Sequence, residues 1–130
     1  MYEWRSHTAE VELAIEAESE EQVFADALVA FAELVALDDS GAPVRHDVTL
    51  AADDRASLLV EWLQELIFLA DIEGFIAERA EALELGDTSI KATLIGRRAP
   101  SEPLVKAATY HGLHFDHEGN TWRARVVLDV

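Results

Sequence analysis

Val11, Leu13, Ile15 and Ala17 alternate along the chain with Glu12, Ala14, Glu16 and Glu18. A strict period of two puts one set on a buried face and the other on a wet, acidic face, so this stretch predicts a strand. The period then changes. Val23, Phe24, Ala27, Leu28, Phe31, Leu34 and Val35 recur at helical spacing, which predicts an amphipathic helix near residues 20–37. Ser19 and Gln22 stand at its head in capping-box spacing, where the hydroxyl takes an orphan helix N–H and the amide returns to the cap. Glu20 and Glu21 favour the positive end of the helix dipole. Asp38-Asp39-Ser40-Gly41-Ala42-Pro43 breaks the pattern.

Val44 to Ala52 alternates again and predicts a second strand. Asp53 or Asp54 can cap the helix that follows, whose apolar face carries Leu58, Leu59, Trp62, Leu63, Leu66, Ile67 and Leu69. Gly74 ends it. Phe75–Leu85 and Ser89–Gly96 read as two strands joined at the turn dipeptide Gly86-Asp87. The Pro100-to-Pro103 segment reads as a loop, and Val105 to Asp116 as mostly extended chain. Glu118-Gly119-Asn120 turns into a last strand, Thr121–Val130. Two main helices and about six strands in mixed order predict an α+β fold, with the helices packed on a mainly antiparallel sheet. With no repeat, low-complexity run or linker, residues 1–130 are expected to form one domain.

Charge narrows the partners. Half of the 130 residues are hydrophobic, yet the formal net charge is −16, from 26 Asp and Glu against 10 Lys and Arg. Nucleic acid is bound mainly by Lys and Arg that neutralise phosphates, so tight direct nucleic-acid binding is not expected; a basic protein or a cation suits this chain better. The absence of cysteine excludes disulfides, thiol catalysis and Cys-ligated zinc. No apolar stretch approaches the roughly 18 residues of a membrane span, and a start with Glu3 and Glu10 does not read as a signal peptide. A cytoplasmic location, away from membranes, is the simplest expectation.

On the last strand Trp122, Ala124, Val126 and Leu128 share a core-like face, and Arg123, Arg125, Val127 and Asp129 share the other. Glu10 lies on the face opposite Val11, Leu13 and Ile15. If the first and last of these strands run antiparallel side by side, Glu10, Asp129 and the free carboxylate of Val130 converge. Like charges raise one another's pKa, and a hard divalent cation with oxygen ligands would relieve the repulsion. The alternative is that Asp129 pairs with Arg123 or Arg125 while Glu10 faces water. Lys106 is conspicuous because lysine is scarce, although a solvated strand end or a surface ion pair accounts for it too. His114 and Asp116 alternate onto one strand face with His117 next, a pattern better read as solvent-facing than as a metal site. Arg97-Arg98 is a basic pair at a strand end. No nucleophile-and-base arrangement or phosphate-cradling glycine loop stands out.

Several blocks resemble the archease family: Tyr2-Glu3-Trp4 with His7-Thr8-Ala9-Glu10, Asp71-Ile72-Glu73-Gly74, Lys106-Ala107-Ala108-Thr109-Tyr110-His111-Gly112, and Trp122-Arg123-Ala124 with Leu128-Asp129-Val130. They occur in order from the first residue to the last. The resemblance implies a helix-on-sheet protein that assists the RtcB-type RNA ligase in tRNA splicing and RNA repair. Such a protein promotes the ligase's guanylylation and repeated turnover rather than joining RNA itself. It also implies a divalent cation, with Ca2+ the expected identity, held at Glu10, Asp129 and Val130. Lys106 would act in ligase activation, His7 would orient the loop before Glu10, and Tyr110 and His111 would support the Lys106 block. Archeases usually carry Asp where this chain has Glu10, which moves the carboxylate outward by roughly one C–C bond. Calcium tolerates such variation better than magnesium. Two other readings stay open from the residues: a metal-dependent phosphoester hydrolase using the acidic cluster, and a general chaperone or interaction module. Oligomeric state is not set by the sequence.

Overall fold

In the computed structural model the described residues are 1–7, 9–36, 41–99 and 105–130. They form β1 (Tyr2–His7), β2 (Glu10–Ala17), α1 (Glu20–Val35), β3 (Pro43–Ala51), α2 (Arg55–Glu73), β4 (Phe75–Leu85), β5 (Ser89–Arg98), β6 (Ala107–Glu118) and β7 (Thr121–Asp129). The fold is α+β as expected, with two differences. Tyr2–His7 is a further strand, and the strands divide into two antiparallel sheets rather than one, a four-stranded β1-β2-β7-β6 and a three-stranded β3-β5-β4. The helix-breaking Asp38-Asp39-Ser40 and the Pro100–Pro103 loop lie outside the described residues.

The two helices hold the sheets together. α1 touches β1, β2 and β7 of one sheet and β4 of the other; α2 touches β6 of one and β3, β4 and β5 of the other. A helix packed against two sheets must be apolar over a wide arc. Accordingly α2 buries Leu58, Leu59, Val60, Trp62, Leu63, Leu66, Ile67, Leu69 and Ala70, more than one stripe's worth. Trp62 is fully buried and stacks edge-on against Phe24 of α1, with its indole N–H donating to the Phe24 carbonyl at 3.0 Å. Phe24 meets Phe115 of β6, and Phe115 meets Trp122 of β7, so aromatic rings run from α2 through α1 into the larger sheet. No helix among the described residues is long and apolar enough to cross a membrane.

The helix ends follow the expected chemistry, with one correction. The Ser19 hydroxyl accepts the Gln22 N–H at 3.1 Å, but the Gln22 amide does not return to the cap. It donates to Asp26 one turn on at 2.7 Å, a charge-assisted bond, and the other oxygen of that carboxylate accepts from the Met1 ammonium. Asp54, not Asp53, caps α2 by accepting the Ser57 N–H at 2.7 Å, a bond that holds its carboxyl below the usual value. Gly74 closes α2 in the left-handed conformation, φ 65°.

At Gly96 the strands β4 and β5 approach too closely for a side chain. A Cβ there would collide with the Ile76 carbonyl and stand 2.8 Å from the Ala77 Cα, beside the bulge between Ala77 and Arg79. Replacing Gly96 with Ala must therefore push backbone apart in a buried sheet. Gly96→Ala should lower stability by about 1–3 kcal/mol, read from the midpoint of a urea unfolding curve.

Candidate functional site

Register decides what meets at the open end of the larger sheet. β2 and β7 pair antiparallel with Glu10 directly opposite Asp129, and Val11, Leu13 and Ile15 turned to the core with Leu128, Val126 and Ala124. The Val130 N–H donates to the Ala9 carbonyl at 3.2 Å. That bond makes the neighbouring Glu10–Asp129 pair one of the closely spaced kind, with Cα atoms about 4.5 Å apart and side chains leaning together. On the far side of β7, Ala107 is the register partner of Asp129, and the Lys106 N–H donates to the Asp129 carbonyl at 2.8 Å. Beyond β2, the backbone of His7 pairs with Glu10; the His7 side chain lies outside the described residues. Glu10, Asp129, Val130 and Lys106 thus meet at one end of the sheet.

The electrostatics of this end are unbalanced. Arg123, one expected competitor for Asp129, is held elsewhere, at 2.9 Å from Glu16 and 3.1 Å from Glu118, and both carboxylates push its pKa up. Among the described residues neither Glu10 nor Asp129 has an ion-pair partner. Like charges directly opposite one another are destabilising. The side-chain donors are two carboxylates, and among the described residues no three His, Cys, Asp or Glu side chains are disposed to hold a metal. All-oxygen donors on adjacent strands suit a hard divalent cation rather than a transition metal. Ala9, in the hairpin before Glu10, has φ 59°, a left-handed conformation that L residues adopt at a cost.

The rest of the Lys106 block serves a different contact. Four residues of β6, Tyr110–Leu113, stand opposite the single residue Val126, a wide bulge that includes Gly112 at φ 66°. His111 is exposed on it. Tyr110 is not directed to the acidic end: its hydroxyl donates to Glu61 of α2 at 2.8 Å. One turn along α2, the Gln64 side-chain oxygen Oε1 accepts the Ala108 N–H at 2.9 Å. Glu61 and Gln64 therefore clip the block to α2. Neither stood out in the sequence, where they are ordinary polar positions on a helix. Arg97 and Arg98 are structural: Arg97 binds Glu78 and the Gly41 carbonyl, and Arg98 binds the Glu73 carbonyl. Asp71 and Glu73 are exposed in the last turn of α2. His114, Asp116 and His117 are exposed, as expected, with the His117 ring 4.4 Å from Trp122.

A larger sheet that brings two acidic side chains together at one end, backed by two helices, defines a small α+β protein with an oxygen-rich strand-end site. The family model described as the Archease protein family matches residues 2–130, and the chain belongs to that family. It is 31% identical to Protein archease of Methanosarcina mazei and 33% identical to that of Pyrobaculum neutrophilum, in each case over 99% of this chain and 95% of the relative. The solution structure of protein 1598 from Methanobacterium thermoautotrophicum superposes with a TM-score of 0.68 at 26% identity, covering 99% of this chain and 98% of that one. The crystal structure of a Thermotoga maritima protein, described as an archease and possible chaperone, also gives 0.68, covering all of this chain and 98% of its own; at 22% identity it bears on the fold alone.

The Tyr110–Glu61 bond has a measurable consequence. Hydrogen bonding to Glu61, then burial, then the negative charges of Glu61, Asp53 and Asp54 raise the Tyr110 pKa above its usual 10.0. An ultraviolet titration of the two tyrosines should show one phenol ionising late, and Glu61→Gln should bring it back toward the ordinary value. Identical titrations in both proteins would show that the clip does not persist in solution.

Proposed function

We propose that this chain is a protein cofactor of an RtcB-type RNA ligase, promoting guanylylation and multiple turnover of that enzyme in tRNA splicing and RNA repair. Membership of the archease family supports the class. The observation that carries the reading further is the register of Glu10 against Asp129, with Lys106 anchored by its backbone to the same aspartate. Three groups that the family resemblance implicates lie together at one end of the larger sheet, drawn from separate parts of the chain.

Glu10, Asp129 and the Val130 carboxylate would hold a divalent cation, Ca2+ by preference, which neutralises their mutual repulsion and fixes the strand ends. The longer Glu10 side chain suits the variable geometry of calcium better than the strict octahedron of magnesium. Lys106 is exposed beside this cluster, and its ammonium is free to reach a nucleotide or a carboxylate on the partner. Phe68 and Ile72, one turn apart on α2 and exposed, offer an apolar contact. Phe68 lies one turn beyond Gln64, which binds Ala108, so this contact falls on the side of the molecule that carries the Lys106 block. A chain of net charge −16 would meet a basic RNA-binding enzyme quickly and transiently, because complementary fields steer encounter. Docking with these groups at the mouth of the ligase active site would favour the conformation ready for guanylylation.

The test is RNA ligation by the cognate ligase with RNA in large excess over enzyme. The ligase alone should stall after about one turnover and continue when this protein is added, with activation weakening as salt rises. Glu10→Ala, Asp129→Ala and Lys106→Ala should each return the reaction toward the ligase-alone level. Turnover of a phosphoester by the isolated protein, abolished in Asp129→Ala, would instead favour a hydrolase. Suppressed aggregation of unrelated clients that is indifferent to Glu10 and Asp129 would favour a chaperone.

A further inference from the structure

The outer face of the larger sheet, turned away from the helices, carries a second feature well away from the acidic end. Across the sheet the register lines up Glu3, Ala14, Arg125 and His114 in one row, and Glu16, Arg123 and Asp116 in the next. Ala14 is the only small side chain in these two rows. Its methyl leaves a hollow between longer neighbours, a solvent-open cavity of about 490 Å³ whose lining includes Arg5, Ala14, His114, Arg123 and Arg125. That volume lies within the range of small-molecule sites. Ala14 lies four residues from Glu10 along β2, about 13 Å, so the hollow is separate from the strand-end carboxylates.

Arg125 is the informative residue. Acids outnumber bases 26 to 10 in this chain, so nearly any exposed arginine can find a carboxylate. Arg5 is paired with Glu3 and Glu12, and Arg123 with Glu16 and Glu118. Arg125 sits between them, half-buried, and among the described residues its guanidinium has neither an ion pair nor a side-chain hydrogen bond. Glu3, Glu12, Glu16 and Glu118 are engaged by the flanking arginines, and Asp116, which also lines the hollow, makes no ion pair with Arg125 among the described residues, so the Arg125 fork is left open. A planar guanidinium with five donors fits a phosphate or carboxylate with two parallel hydrogen bonds. His114, its register partner, lies on the same face; its Nδ1 is 3.0 Å from the Leu113 carbonyl, which leaves Nε2 for a ligand.

We infer that this hollow binds a small ligand through an oxyanion group, a phosphate monoester or a carboxylate, gripped by Arg125 beside His114, with the ligand body over Ala14. Glu3, on the other side of Ala14, opposes the anion and sets a limit on its affinity. Ala14 is therefore a specificity position, since a larger side chain there fills the space while leaving every charge in place.

Titration of inorganic phosphate, and separately of acetate, into protein with 15N-labelled arginine tests this through the Nε resonances. A saturable shift of the Arg125 signal is expected, with the stronger of the two anions identifying the oxyanion class. Ala14→Leu should abolish the shift although Arg125 remains, Arg125→Gln should weaken binding about tenfold or more, and Glu3→Gln should tighten it. Equal, unsaturable shifts at Arg125 and at the distant Arg45 and Arg79 would mean only a diffuse ion atmosphere and would overturn the inference. So would binding in Ala14→Leu as strong as in the parent chain.

Discussion

The pairing of β2 with β7 is the constraint on which the rest depends. It joins residues 10–17 to residues 122–129, so more than a hundred residues of chain must close before its first hydrogen bond forms. Once formed, it turns Leu13, Ile15, Val126 and Leu128 into the core together and gives the helices a surface to pack on. A slip of one residue by either strand would send its own two to the wet face, so burial fixes the register firmly. The same register places Glu10 opposite Asp129. The hydrophobic core therefore pins two like-charged carboxylates opposite one another, and the cation proposed for this end would relieve their repulsion.

Local elements were legible because each carries its own periodicity or cap. The alternation of Val11 to Ala17, the apolar arc from Leu58 to Leu69, the Asp54 cap and the Gly74 stop require only neighbours in sequence. β1 was harder to read. Tyr2 and Trp4 pack against the core while Glu3 and Arg5 alternate with them, but six residues at a sheet edge give a short signal that reads equally well as a motif. The division into two sheets was not legible at all, since it depends on which distant strands pair. The bulge at Tyr110–Leu113 explains why that stretch lacked a clean period: three extra residues interrupt the alternation between Thr109 and His114.

The candidate site shows the same division. Acidic residues at both ends of the chain could be matched in sequence, but only through an assumed antiparallel pairing, which the register bears out. Of the two competing partners for Asp129, Arg123 is taken by Glu16 opposite it, and Arg125 makes no ion pair with Asp129 among the described residues. Glu61 and Gln64 could not be found from sequence, as nothing local distinguishes a helix-surface acid that clips a bulged strand from one that faces water. Arg125 is a similar case: its isolation is a property of its neighbours' pairings, not of its own position in the chain.

The most direct test of the central claim is a Ca2+ titration followed by backbone amide resonances. The account predicts saturable shifts concentrated at Glu10, Lys106, Asp129 and Val130, where two strand ends and the chain end meet, and their loss in Asp129→Ala with the remaining spectrum preserved. No saturable shift at those residues, or a response that Asp129→Ala leaves unchanged, would contradict it.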